Sequence, residues 1–159
     1  MKLTAARLRQ VLSYSPETGL FHWLKSEKRV KAGDLAGSYT QGYFNVQVDG
    51  VLYRAHRLAW LYVHGDWPTK GIDHVNGDGK DNRLANLREA DQAQNSANSR
   101  RGINCKSGFK GVTAYRSRWV ATIGKFGKKK HIGVFDTPEA AHAAYVTEAG
   151  KLHGEFARG

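Results

Sequence analysis

The sequence predicts an α+β fold, because strand patterns and helix patterns are mixed along its 159 residues. Residues 43–48 alternate between apolar and polar side chains and run into Asp49-Gly50, a strong signal for a hairpin turn. From Phe109 onward, three short strand patterns are followed by one Ala-rich helical pattern. We therefore expect short strands with flanking helices first, and then a small three-stranded antiparallel sheet with one helix.

The chain is strongly basic, with a formal net charge of +11 and a pI of about 9.9. Such an excess of Lys and Arg points first to a polyanion, and double-stranded DNA is the expected partner. A basic protein without a specific partner is the alternative. The net charge is +3 over residues 1–98, +3 over 99–107 and +5 over 108–159. We predict that these ranges are a first region, a basic linker and a second domain.

Composition also excludes several classes of protein. The single cysteine, Cys105, excludes a disulfide framework and a four-cysteine zinc site within one chain. No run approaches 18 apolar residues, so we expect no membrane partner. The N-terminal residues resemble a helix and not a signal peptide, which predicts a cytoplasmic protein in a bacterial or phage-infected cell.

The first region is predicted to hold two helices and three strands before residue 70. Thr4 is a suitable N-cap for the first helix, and Gly65 and Pro68 end the second. The predicted helices cover 4–12 and 56–63, and the predicted strands cover 20–24, 43–48 and 51–54.

A second hairpin and a short helix complete this region. We expect strands at 70–75 and 86–88, followed by a helix at 92–98 with Asp91 as its N-cap. The apolar core of this unit is thin, so we expect it to pack against the helix at 56–63.

In the second domain, Trp119, Ala121 and Ile123 share one face of a strand, and Trp119 is predicted to be buried. Thr137 and Pro138 start a helix as N-cap and first helical residue. The predicted strands cover 110–115, 119–123 and 131–135, with a basic turn at 124–130.

The adjacent pair Asp73-His74 is the main candidate for chemistry. Asp73 is a hard oxygen ligand suited to a divalent cation, whereas His74 points to the other side of the strand and can act as a base near neutral pH. Asn86 could accept the ring N–H of His74, and Asn95 could supply a second neutral ligand oxygen. Mg²⁺ is the expected ion, with Mn²⁺ as the alternative.

Each of these residues also has a simpler structural interpretation. Asp73 and His74 could be ordinary hairpin residues, and the two asparagines could be turn or cap residues. His56 is interpreted as a core histidine bonded to backbone in preference to a phosphate contact.

The region around this pair resembles HNH nucleases of the phage homing-endonuclease type. The resemblance covers about 45 residues and rests on His56-Arg57-Leu58, Asp73-His74, Asn76-Gly77, Asp81-Asn82, Asn86-Leu87-Arg88 and Asn95. It implies a ββα-metal motif (core 53–98) with His74 as general base, Asp73 and Asn95 as metal ligands, and Asn86 orienting His74. Many members have His at the position of Asn95.

Residues 107–157 resemble the APETALA/ethylene-response-factor DNA-binding domain, which lays a three-stranded sheet in the major groove. The resemblance rests on Gly111-Val112, Trp119, Ala121, Ile123, Gly133, Phe135-Asp136-Thr137, Ala140-Ala141, Ala144-Tyr145 and Phe156. The DNA contacts it implies, with the arginines of the basic linker added, are Lys110, Thr113, Tyr115, Arg116, Arg118, Thr122, Lys129, His131, Arg100 and Arg101.

Together these patterns predict a metal-dependent DNA endonuclease. The resemblance to HNH nucleases implies a homing-type enzyme that leaves a 5′-phosphate and a 3′-hydroxyl. One active site per chain favours nicking by a monomer, while a homodimer would allow double-strand cleavage. No protein partner is implied. The alternatives are a non-catalytic DNA-binding regulator that uses the HNH region as a scaffold, and a nuclease for RNA or structured DNA.

Overall fold

The computed structural model describes residues 2–26, 30–99, 106–125 and 127–158. The architecture is α+β, as predicted, with several small antiparallel sheets and four α-helices among the described residues. Contacts divide the chain into two compact units, Met1–Ala90 and Asp91–Gly159. In the described part, no helix has both the length and the apolar character needed to cross a bilayer.

Among its described residues, the first unit contains two helices, three small sheets and one 3₁₀ turn at Leu84–Asn86. The elements are α1 (Ala5–Val11), β1 (Leu12–Tyr14), β2 (Phe21–Trp23), β3 (Ser38–Thr40), β4 (Tyr43–Val48), β5 (Val51–Arg54), α2 (Ala55–His64), β6 (Gly71–His74) and β7 (Leu87–Ala90). Strands β1 and β2 pair, β3, β4 and β5 form a meander, and β6 pairs with β7.

One apolar core joins the sheets and helices of this unit. Phe21, Leu8 and Leu58 are fully buried in it, and Ile72 of β6 and Leu87 of β7 belong to the same cluster. The hairpin β6–β7 therefore shares a core with α2, in agreement with the sequence prediction.

The second unit contains one three-stranded sheet with helices and a 3₁₀ turn at Gly154–Phe156. The elements are α3 (Gln92–Asn98), β8 (Val112–Tyr115), β9 (Arg118–Lys125), β10 (Lys128–Phe135) and α4 (Pro138–His153), and the strand order is β10-β9-β8. Val112, Ala121 and Ile123 on the sheet pack with α4 residues such as Tyr145. Trp119 was predicted to be buried, but it is only half-buried and packs at the margin of this core.

Three features of the strands and of the division into units differ from the sequence prediction. The predicted basic turn at 124–130 is wrong, because β9 runs to Lys125, β10 begins at Lys128, and Lys129 pairs with Gly124 across the sheet. Strands β1 and β3 were not predicted, since three residues are too few to show a period. Helix α3 has the predicted bounds, but its contacts assign it to the second unit.

Candidate active site

The hairpin β6–β7 fixes the backbone of the candidate catalytic pair. Asp73 lies opposite Arg88, and His74 lies opposite Leu87. The N–H of Val75 donates to the carbonyl of Asn86 at 2.9 Å, which extends the pairing one step beyond the strands. Because successive strand residues alternate in direction, Asp73 and His74 have different neighbours.

Asp73 forms a buried ion pair. The residue is 3 % exposed, and Nε of Arg88 donates to its Oδ2 at 2.9 Å. The Arg88 side chain is itself largely buried, so the two charges compensate each other away from water. The cross-strand partner of Asp73 was not predicted, although antiparallel register makes Arg88 the residue that faces it.

His74 is buried beside an asparagine amide. It is 6 % exposed, and its Nε2 lies 3.3 Å from Oδ1 of Asn82. The Nδ2 of Asn82 donates to the carbonyl of Lys80 at 3.2 Å, which orients the amide so that its oxygen faces the imidazole. The imidazole tautomer that matches this orientation carries the proton on Nε2 and donates it to Asn82.

Asn86 was predicted to accept the ring N–H of His74, but its side chain has other partners. Its Oδ1 accepts the N–H of Asn76 at 2.9 Å, and its Nδ2 donates to Oδ1 of Asn76 and to the carbonyl of Asp81 at 3.1 and 2.8 Å. The side chain is therefore occupied with the loop that follows β6. Asn82 provides the amide at the imidazole, and its sequence context gives only a turn signal.

The loop at 76–83 is held from within by charge pairs. Asp81 accepts from Arg83 at 2.6 and 2.8 Å and from Nδ2 of Asn76 at 2.8 Å. Hydrogen bonding from Arg83 is the main cause that lowers the pKa of the Asp81 carboxyl. The loop therefore has a defined shape that fixes the backbone of Asn82.

The N-terminal strands support the same loop. The hydroxyl of Tyr14 donates to the carbonyl of Asn82 at 2.7 Å, and the N–H of Leu84 donates to the carbonyl of Pro16 at 3.0 Å. Gly19 has a φ of +74°, and a Cβ there would lie 2.4 Å from the backbone nitrogen of Arg83. The first 24 residues thus pack directly against the segment that carries Asn82.

The rings of His56 and Tyr43 lie next to the ring of His74. The rings of His56 and His74 meet edge to face with centroids 5.0 Å apart, and the Tyr43 ring lies 5.5 Å from that of His56. Burial lowers the pKa of His56 to about 3, and the charges of His74, Arg54 and Arg57 act in the same direction. His56 is therefore neutral at neutral pH. It lies in the core, as predicted, but the predicted hydrogen bond to backbone is not found for its Nδ1 among the described residues.

Two buried nitrogen atoms in this cluster have no hydrogen-bond partner within the described residues, Nδ1 of His56 and Nη1 of Arg54. The guanidinium of Arg54 lies 4.0 Å from the centroid of the Tyr43 ring. An unpaired buried polar group costs on the order of 1–3 kcal/mol. A polar ligand that reached these atoms would recover part of that cost. No sequence pattern pointed to Arg54.

Asn95 lies in α3 of the second unit and is exposed. The helix starts with a capping box in which the Asp91 side chain accepts from the N–H of Gln94, and the Gln94 side chain accepts from the N–H of Asp91. Ala97 and Asn98 are its buried residues. Over the described ranges, no group of three His, Cys, Asp or Glu residues could hold a metal ion.

The outer face of the second sheet carries most of the predicted DNA contacts. Strand register puts them on the face opposite Ala121 and Ile123, which pack on α4. All are exposed except Thr122, which is half-buried. These residues are Thr113, Tyr115, Arg118, Thr122, Lys129 and His131, with exposed Arg116 in the turn between β8 and β9.

Lys110 was predicted to contact DNA, but the structure gives it a different partner. The ammonium of this half-buried residue binds the backbone carbonyls of Ala97 and Ser99, so it is not exposed for contact with DNA. Arg118 pairs with Asp136 at 2.8 Å, but both side chains remain exposed. Arg100 and Arg101 lie outside the described residues.

Comparison with known proteins identifies the family. The chain is 35 % identical over 109 residues to Protein 3.8 of Escherichia phage T7, a match that spans 66 % of this chain and 88 % of that protein. The chain belongs to the Protein 3.8 family. Within this member of the Protein 3.8 family, residues 53–97 match the HNH endonuclease family, and that stretch contains His74, Asn82 and Asn95.

A second similarity concerns a shorter part of this Protein 3.8 relative. It is 46 % identical over 59 residues to the AP2-like ethylene-responsive transcription factor TOE2 of Arabidopsis thaliana, across 35 % of this chain and 12 % of that protein. No solved structure gives a significant match. The family evidence thus supports a nuclease with an affinity for DNA.

Proposed function

We propose that this protein is a metal-dependent DNA endonuclease that hydrolyses phosphodiester bonds, with His74 as its general base. The observation that carries the proposal is a buried His74 inside the stretch that matches HNH endonucleases, with an amide oxygen 3.3 Å from its Nε2. A base needs a fixed ring and a fixed tautomer, and Asn82 supports both.

The proton transfer follows from this tautomer. Because Nε2 of His74 donates to Asn82, the lone pair that accepts a proton is on Nδ1. A water molecule gives its proton to Nδ1, and its oxygen attacks the phosphorus. The bond from phosphorus to the 3′ oxygen breaks, and the 3′ oxygen takes up a proton, which leaves a 5′-phosphate and a 3′-hydroxyl.

Asp73 and Asn95 are the residues that would hold a divalent ion. A carboxylate and an amide are hard oxygen donors, which suit Mg²⁺, with Mn²⁺ as the alternative. A bound ion would supply positive charge at the scissile phosphate and the departing oxygen. Arg88 binds Oδ2 of Asp73 at 2.9 Å and thereby orients the carboxylate. Arg54 adds a cation whose unpartnered Nη1 suits a phosphate oxygen.

The outer face of the sheet β10-β9-β8 is proposed as the surface that recognises the target. It carries exposed Lys129 and Arg118 together with hydroxyl and aromatic groups, and the similarity to an AP2-like transcription factor supports this use. With cations facing DNA phosphates, affinity should fall steeply as salt rises. A homing-type role in the cytoplasm of a phage-infected cell completes the proposal.

One observation favours a second function, that of a DNA-binding regulator without catalysis. The carboxylate of Asp73 is already compensated by Arg88, so the fold does not need a metal ion to neutralise it. In that case the HNH region would serve as a scaffold.

Supercoiled plasmid and DNA flanking the gene, each incubated with the protein in Mg²⁺, Mn²⁺ or EDTA, separate these functions. The nuclease proposal predicts metal-dependent conversion to open-circle or linear product on at least one substrate. The identity of the product distinguishes nicking from double-strand cleavage. DNA binding without cleavage of either substrate in either metal would favour the regulator.

A further inference from the structure

Helix α3 is too short to be stable by itself. It has seven residues, whereas isolated helices shorter than about 12 residues are marginal in water. Its sequence, QAQNSAN, offers little apolar surface, and Ala97 is its only buried apolar residue among those described. The helix contacts α4 and the 3₁₀ turn at Gly154–Phe156. Its position therefore depends on the sheet domain that follows it.

Lys110 supplies a specific polar contact at the end of α3. Its ammonium donates to the carbonyl of Ala97 in the last turn and to that of Ser99 just beyond the helix, the latter at 2.8 Å. A cation at this end complements the helix dipole and satisfies carbonyls that have no partner inside the helix. The capping box at Asp91 satisfies the other end.

The backbone that presents Lys110 is itself fixed. The carbonyl of Gly111 accepts the N–H of Thr122 at 2.8 Å, and a Cβ at Gly111 would lie 2.3 Å from the Tyr145 ring. Burial lowers the pKa of Lys110 to about 8, which agrees with an ammonium enclosed by protein. Lys110 therefore bridges the sheet–helix core of this unit and the end of α3.

We propose that Lys110 is a positioning residue that holds α3, and with it Asn95, on the C-terminal sheet domain. This inference rests on the proposed function, in which Asn95 is a metal ligand. Within this unit, the sheet would bind DNA and Lys110 would fix the helix that carries Asn95. Lys110 would then act through α3 and would not contact DNA.

The test compares Lys110→Met with Lys151→Met, a matched loss of charge at an exposed lysine whose ammonium pairs with Glu148 of the same helix at 3.0 Å. Lys110→Arg keeps the charge and serves as the conservative variant. The measurements on the full chain are amide hydrogen exchange over residues 92–98, single-turnover cleavage at saturating DNA, the Mg²⁺ concentration for half-maximal rate, and DNA affinity across a salt series.

Lys110→Met should lower amide protection in α3 and the saturated cleavage rate by about tenfold or more each, and should raise the Mg²⁺ requirement, with DNA affinity nearly unchanged. Lys110→Arg should recover part of the protection and the rate. Lys151→Met should leave the protection of α3 and the saturated rate unchanged, because the ammonium of Lys151 pairs within its own helix.

Unchanged protection of α3 in Lys110→Met would overturn the inference, as would a loss confined to DNA affinity. Because hydrogen exchange does not require cleavage, it tests the Lys110 contact even if the wild-type protein cuts no DNA. An inactive wild type with α3 loosened by Lys110→Met would contradict the nuclease proposal and support the contact. An active wild type in which Lys110→Met leaves the protection of α3 unchanged would support the nuclease proposal and contradict the role of the Lys110 contact.

Discussion

The hydroxyl of Tyr14 donates a 2.7 Å hydrogen bond to the backbone carbonyl of Asn82, whose side-chain oxygen lies 3.3 Å from Nε2 of His74. This connection spans 68 residues of sequence and gives the N-terminal strands a role in the candidate site. Burial raises the pKa of Tyr14 to about 12, so the phenol stays protonated and remains a donor.

Tyr14→Phe should destabilise the first unit and slow cleavage. The carbonyl of Asn82 would lose its buried donor, at a cost of about 1–2 kcal/mol in the free energy of unfolding. Urea unfolding measures the loss, and single-turnover cleavage measures the displacement of Asn82. Tyr39→Phe is the control, because that tyrosine is 47 % exposed. Equal stability of the two variants would contradict the proposed support.

Asn82→Ala should lower the saturated cleavage rate by roughly 10–100-fold, the effect of losing a group that orients a reacting side chain. Nε2 of His74 would lose its acceptor, so the ring tautomer would no longer be fixed. Asn82→Asp keeps an acceptor oxygen and should retain more activity than Asn82→Ala. DNA affinity should change little in both variants. A wild-type rate for Asn82→Ala would remove Asn82 from the mechanism.

Gly19→Ala should be far more damaging than Gly50→Ala. Both glycines have a positive φ, +74° and +80°, but a Cβ at Gly50 meets nothing within 4 Å. Gly50→Ala should therefore cost only the backbone strain, about 1–2 kcal/mol. Gly19→Ala adds a clash with the backbone of Asn82 and Arg83, and we expect at least about 2 kcal/mol more. Thermal or urea unfolding gives both values, and similar losses would contradict the close packing at Gly19.

His56 should make the fold sensitive to acid. Its pKa is lowered from 6.5 to about 3 in the folded state, so the unfolded state binds a proton more readily. The contribution of neutral His56 to the free energy of unfolding is fully present above pH 6.5. It is lost as the pH falls from 6.5 towards 3. Each pH unit between these two pKa values changes the free energy of unfolding by about 1.4 kcal/mol. At pH 5 the loss in the free energy of unfolding is therefore about 2 kcal/mol.

Urea unfolding of the wild type and of His56→Gln at pH 7.5 and pH 5 measures this contribution. The wild type should lose more stability between the two pH values than the variant, because glutamine does not titrate. An equal loss in both proteins would show that other groups cause the acid sensitivity.

Much of the fold could be predicted because its signals are local. Asp49-Gly50 identified a hairpin, Gly65 ended α2, and Asp91 capped α3, each at the predicted residue. Strand alternation put Ala121 and Ile123 on one face of β9, and both pack in the core with α4. The pair Asp73-His74 was evident because two adjacent residues of these types are informative without any knowledge of distant contacts.

The remaining features depend on tertiary contacts that leave no local pattern. Asn82 and Asn86 are both asparagines in a turn-rich stretch, and only the folded loop determines which one lies at the His74 ring. Lys110 occupies an apparently outward position, yet a helix end lies within reach of its ammonium. Arg88 became a partner of Asp73 only through the register of β6 and β7.

The most direct test of the account is single-turnover cleavage of DNA flanking the gene by wild type and His74→Ala at saturating protein, with binding measured in the same samples. If His74 is the general base, His74→Ala should bind DNA with nearly wild-type affinity, and its cleavage should fall to background in Mg²⁺ and in Mn²⁺. Cleavage by His74→Ala at the wild-type rate would contradict the role of His74 as the general base.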